Sequence, residues 1–138
     1  MLFPKKVKYR KWQKKRTDMS ARVETRGTLV NFGSFGLKTE SMGRVTSNQI
    51  EAARKAASRH LTKVGRMWIR VFPDRPFTEK AAQQPMGKGK GDLEGYHVEV
   101  LPGRILFEVD GVDEAIAREA LRKAGTKLPV KTRIVARA

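Results

Sequence analysis

Half of the net charge of this chain sits in its first twenty-six residues. Lys5, Lys6, Lys8, Arg10, Lys11, Lys14, Lys15, Arg16, Arg22 and Arg26 meet only Asp18 and Glu24 there, ten cations against two anions, or +8 of a total of +16 over 138 residues. Such a run repels itself and has little to bury, so it cannot fold alone. Residues 1–26 are therefore an arm, and residues 27–138 must supply the folded domain. The same excess selects a polyanionic partner, nucleic acid first and an anionic membrane second. Tyr9 and Trp12 lie among the cations. Aromatics there either stack on bases and riboses or pin the arm to the domain, and the sequence leaves both open.

The rest of the chain alternates strand and helix patterns. TLVNFGSFGLKT (28–39) is β-like, with Leu29 and Val30 opening a strand, Gly33 and Gly36 bracketing a tight Ser34-Phe35 connection, and Phe32, Phe35 and Leu37 expected to pack in the core or the hairpin rather than stack on bases. Thr46 and Gln49 make a capping box for a helix that Gly65 should stop. Its buried stripe is Ile50, Ala53, Ala57, Leu61 and Val64. Lys55, Arg59 and Lys63 recur beside that stripe at four-residue steps, a basic ridge that repels itself unless phosphates face it.

MWIRVF (67–72) alternates, with Met67, Ile69 and Val71 on one face and Trp68, Arg70 and Phe72 on the other. An arginine between two aromatics is either a base-stacking platform or part of a second packed face. YHVEVL and ILFEVD flank Pro102-Gly103-Arg104, a hairpin signal. A second helix is expected from Asp113 to Ala124, acidic at its start and basic at its end, with Ile116, Ala120, Leu121 and Ala124 inward. PVKTRIVA closes the chain as a strand. The pattern predicts one two-layer α+β domain, its two helices on one side of a mainly antiparallel sheet.

Between residues 84 and 95 lies QPMGKGKGDLEG, with two lysines held among three glycines. Ordering glycine costs about 1–2 kcal/mol of backbone entropy per residue, so the loop is expected to be mobile until a partner orders it. It is no nucleotide cradle. A P-loop would need glycine at Gln84 and a hydroxyl at Gly91, and the dinucleotide fingerprint fails at Asp92 and Glu94. With no cysteine and two distant histidines, His60 and His97, neither a nucleophile–base pair nor a metal site is expected, and no cofactor. The chain has no apolar run of the roughly 20 residues that span a membrane, and its alanine-rich helix stripes are weak for interfacial insertion. Neither a signal peptide nor an organelle presequence is expected at the N-terminus.

Six segments carry a resemblance. They are MLFPKKVKYRKWQKKR at the N-terminus, NFGSFGLK at 31–38, QIEAAR at 49–54, WIRVFPDRPFTEK at 68–80, MGKGKG at 86–91 and KLPVKT at 127–132. In this order the chain resembles the bacterial family of large-subunit ribosomal protein sixteen. The resemblance implies an α/β-hammerhead-like domain bound to large-subunit (23S-type) rRNA, near the aminoacyl-tRNA side of the peptidyl transferase centre, with a part in late assembly. It implies an rRNA-bound arm and a loop reaching towards A-site tRNA, with P-site tRNA a further contact. Three departures stand out. Pro85 replaces an arginine that some members hydroxylate, Lys14-Lys15-Arg16 replaces Lys-Gly-Arg, and TDMSARVETRG replaces a glycine-rich stretch.

The expected rRNA-binding residues are thus Lys5, Lys6, Lys8, Tyr9, Arg10, Lys11, Trp12, Lys14, Lys15, Arg16, Lys55, Arg59, Lys63 and Arg70. The expected tRNA-proximal loop is Met86, Gly87, Lys88, Gly89, Lys90 and Gly91. Expected partners are rRNA, tRNA and neighbouring ribosomal proteins, with no membrane and no homo-oligomer, in a cytoplasmic rather than an organellar ribosome. The competing reading is a free-standing basic RNA chaperone.

Overall fold

The computed structural model describes residues 1–14, 21–61, 63–83 and 85–138. The order is β1 (Phe35–Thr39), β2 (Gly43–Thr46), α1 (Ser47–Ser58), β3 (Arg66–Ile69), β4 (Arg75–Glu79), β5 (Asp92–Val100), β6 (Ile105–Asp110), α2 (Glu114–Gly125) and β7 (Thr132–Ala136). The α+β class and the alternation of strands and helices match the sequence pattern. The strands divide between two antiparallel sheets, one ordered β3-β6-β1-β7 and the other β2-β5-β4.

The helices tie the two sheets together. α1 packs on β2 and β5, α2 packs on β1, β6 and β7, and the helices pack on each other. Small side chains allow that approach: Ala53 and Ala57 of α1 and Ala117, Ala120 and Ala124 of α2 are fully buried. β6 lies at the centre, with Ile105 through Val109 all at 0% exposure. Burying Phe107 alone stabilises the fold by about 1.5–3 kcal/mol.

The capping box forms as expected: the Gln49 amide donates to Thr46 Oγ1, and the Thr46 amide to Gln49 Oε1. The helix ends at Ser58, well short of Gly65. Leu61 stays buried, but Val64 falls outside the stripe at 74% exposure. Gly65 serves packing instead, since a Cβ there would lie 2.9 Å from Val112 Cγ1. In α2, Ile116 points outward and Ala117 takes the inward place.

The expected hairpin across Pro102-Gly103-Arg104 does not form. β5 pairs with β2 and β4, whereas β6 pairs with β1 and β3. The turn is held by the end of β1: Thr39 Oγ1 donates to the Leu101 carbonyl, and the Gly103 amide donates to the Thr39 carbonyl. That grip sends the chain from one sheet into the other.

Nor does a strand open at Leu29 and Val30, and Ser34-Phe35 is no tight connection, because β1 begins at Phe35. The amides of Asn31, Phe32 and Gly33 instead donate to one oxygen, Oε1 of Glu108, at 2.7, 2.9 and 3.2 Å. A fully buried carboxylate thus takes the role of a neighbouring strand for these three donors. Phe32 is 55% exposed, outside the core, with its ring stacked on Trp68.

Candidate nucleic-acid interface

The arm is fastened at both ends of its described stretch. Leu2 packs against the core. Met1 and Phe3 share a cavity with Phe77, Gly95 and Tyr96 of the β4–β5 hairpin and with the start of α1. At the other end, Arg75 of β4 donates through Nη2 to the Gln13 carbonyl at 2.6 Å, and its guanidinium lies 5.5 Å from the centroid of the Trp12 ring. Between these points Lys5, Lys6, Lys8, Tyr9, Arg10 and Lys11 are exposed. Residues 1–14 therefore form a strap that holds its cations outward. Trp12 pins, whereas Tyr9 is 64% exposed with the Lys8 ammonium 5.5 Å from its ring. Lys15 and Arg16 lie outside the described residues.

The glycine-lysine stretch belongs to the connection between β4 and β5, whose last pair is Glu79 opposite Asp92. Its backbone explains its composition. Gly87, Lys88 and Gly89 have φ of 86°, 59° and 106°, a left-handed run in which glycine carries no Cβ penalty. Gly91 answers to space instead, since a Cβ would sit 2.7 Å from the Glu79 carbonyl oxygen. Lys80 Nζ donates to the Pro85 carbonyl at 3.3 Å and also to the Gly87 carbonyl. Lys90 Nζ donates to the Trp12 carbonyl. Met86 and Lys88 are exposed at the tip, Met86 at 97%.

Strap and loop thus meet. Lys14, Thr78, Lys80, Met86, Gly87, Lys90 and Gly91 wall one cavity. Arg75, Lys80 and the Gln13 carbonyl, which hold this junction, were not singled out from sequence. Their only signals were an arginine opening a strand after FPD and a lysine just past its end.

The other expected residues lie elsewhere. Lys55 sits in the last turn of α1, Arg59 is its C-cap, and Lys63 falls beyond the helix. The three do not form one helical ridge. Lys55 and Arg59 lie at the C-terminal end of α1, where cations suit the macrodipole. That end lies roughly 18 Å along the axis from the α1 start that meets Met1 and Phe3. Arg70 faces inward: its Nη1 donates to Glu108 Oε2 at 2.5 Å and to the Leu29 carbonyl at 3.2 Å. It also lies 4.9 Å from the Phe32 ring, which stacks on Trp68 at 6.3 Å. Burial pushes the Glu108 carboxyl up, but Arg70 and the amides of Phe32 and Gly33 outweigh it and hold the group below its ordinary value.

Among the described residues, carboxylate pairs fall on eight arginines, and Arg22, Arg26, Arg66, Arg137 and the described lysines of the domain stay outside them. Arg44 and Arg75 pair with Glu99, Arg54 with Glu51, Arg70 with Glu108, and Arg104 with Glu24. Arg118, Arg122 and Arg133 pair with Glu114, Glu119 and Glu40. Every one of these cations is an arginine outside residues 1–14. The strap cations and Lys55, Arg59, Lys63, Lys88 and Lys90 are exposed and enter none of these pairs.

No helix among the described residues is long and apolar enough to cross a membrane. The sequence matches the family model described as Ribosomal protein L16p/L10e over residues 4–135, which takes in most of the strap, the loop and nearly all of both sheets. An exposed cationic strap joined to a glycine-lysine loop is what a polyanion-bound structural protein presents, and with that match the chain belongs to the L16p/L10e family, as a non-enzymatic, rRNA-binding constituent of the large ribosomal subunit that works in translation among other ribosomal proteins.

Proposed function

We propose that the strap is the principal rRNA contact and that the Met86–Gly91 tip meets tRNA near the peptidyl transferase centre. The observation that carries this reading is the division of charge. Seven glutamates pair with arginines outside the strap, while the cations crowded on strap and loop tip stay exposed with no carboxylate partner among the described residues. Self-repulsion of that kind is relieved when phosphates face it. Lys55, Arg59 and Lys63 give a second, smaller phosphate contact at the end of α1. In this reading residues 1–26 remain the RNA-binding arm, though Glu24 already touches the domain through its amide on the Pro102 carbonyl.

The loop suits tRNA because two ammonium groups on a glycine backbone contact phosphate without reading bases. A site that accepts every tRNA must do that. The late-assembly role and the A-site position follow from the resemblance, and the division of charge is compatible with both.

The test is a large subunit carrying Lys88→Ala with Lys90→Ala. Exposed ion pairs contribute up to about 1 kcal/mol each, so aminoacyl-tRNA accommodation should weaken by roughly five- to thirty-fold. Incorporation into the subunit should stay near normal. Unchanged tRNA binding and elongation in such ribosomes would refute the tRNA contact.

A further inference from the structure

The loop lacks packing of its own. Gly87 and Gly89 have nothing within 4 Å of where a Cβ would stand, and the tip holds three consecutive positive φ values. Among the described residues its side-chain tethers are two lysines. Lys80 grips the Pro85 and Gly87 carbonyls from the end of β4, and Lys90 grips the Trp12 carbonyl. One of the two tethers is therefore supplied by the arm.

That arm segment is itself held by a fixed cation. Arg75 lies across the sheet from β5, with its Nε 3.4 Å from Glu99 Oε1. The carboxylate orients the guanidinium, leaving Nη2 for the Gln13 carbonyl and the planar face for the Trp12 ring. The linkage runs from Glu99 to Arg75, to Trp12 and Gln13, and then to Lys90. It spans 62 residues of sequence in one step and 78 in the next.

We infer that Trp12 and Gln13 are a clasp through which the arm positions the glycine-lysine loop, so that the loop takes its presented shape only while residues 12–14 are docked on Arg75. Trp12 and Arg75 are positioning residues that act on the loop tip through Lys90. The functional consequence rests on the proposed rRNA and tRNA contacts: seating the arm in RNA and presenting the loop become one coupled event. The physical clasp itself needs neither.

The chain has no cysteine, so Lys14→Cys gives a unique attachment point for a nitroxide spin label. In the full-length free protein the label should broaden the amide signals of Gly87, Gly89 and Gly91. Adding Trp12→Ala should restore those signals while the amides of β6 keep their shifts. Trp12→Phe, which keeps a ring under Arg75, should leave the broadening in place. Absence of broadening with Lys14→Cys alone, or equal broadening with Trp12→Ala, overturns the clasp and leaves the tRNA contact untouched. In large subunits, Trp12→Ala should slow accommodation as much as Lys88→Ala with Lys90→Ala, and the triple variant should be no slower than the double. Additive losses in the triple variant would overturn the coupling of arm and loop on the subunit, whereas normal elongation with the lysine pair removed sinks only the tRNA contact.

Discussion

Changing Lys5, Lys6, Lys8, Arg10 and Lys11 to glutamine removes five exposed cations of the strap and keeps both of its fastenings, Leu2 and Trp12. Each phosphate neutralised on a duplex contributes about 0.9 to the slope of log K against log salt, so five contacts amount to about 4.5 units. Over a fourfold rise in salt, the parent should lose roughly 500-fold more affinity than the variant. Fluorescence anisotropy with a labelled duplex fragment of large-subunit rRNA, across a salt series, reads this directly. Thermal melting should show no loss of stability, because removing like charges relieves repulsion. A slope that changes by less than about one unit would refute the strap as the main electrostatic contact. It would shift attention to Lys55, Arg59 and Lys63.

Glu108→Gln keeps the shape of the side chain but turns an amide group towards the Arg70 guanidinium and weakens the acceptor shared by Asn31, Phe32 and Gly33. Breaking a buried pair from one side costs about 3–5 kcal/mol, so the urea midpoint should fall sharply at constant m. A loss below about 1 kcal/mol would show that the carboxylate is dispensable. His97 is 5% exposed and stacked on Phe77, and burial, then the nearby Arg44 charge, lowers its pKa against the opposing pull of Glu99. A base whose folded pKa is depressed is protonated first in the unfolded chain, so its contribution is present above about pH 6.5 and falls away below it. Urea midpoints should therefore drop between pH 7.5 and 5.5 in the parent, and His97→Phe should flatten that drop. An equally steep fall in the variant would assign the effect to other groups.

The sequence alone determined what depends on neighbours a few residues apart. Thr46 and Gln49 announced the start of α1, the alternation of Met67, Ile69 and Val71 gave the core face around β3, and the charge count announced a polyanion partner. Local signals misled where a distant group supplied the hydrogen bonds. Pro102-Gly103 reads as a hairpin from its own residues, yet Thr39 seizes the turn and the flanking strands join different sheets. Residues 29–33 read as a strand, yet Glu108, 75 to 77 positions away, takes the amides of Asn31, Phe32 and Gly33. Arg70, expected among the rRNA-binding residues, pairs with Glu108, 38 positions away. The interface followed the same division: strap and loop were each visible as composition, but their junction through Arg75, Trp12 and Lys90 was not. Periodicity and capping report only what a segment can satisfy locally. A buried carboxylate or a guanidinium bound to a carbonyl is chosen by three-dimensional proximity, and that exists only once the chain has folded.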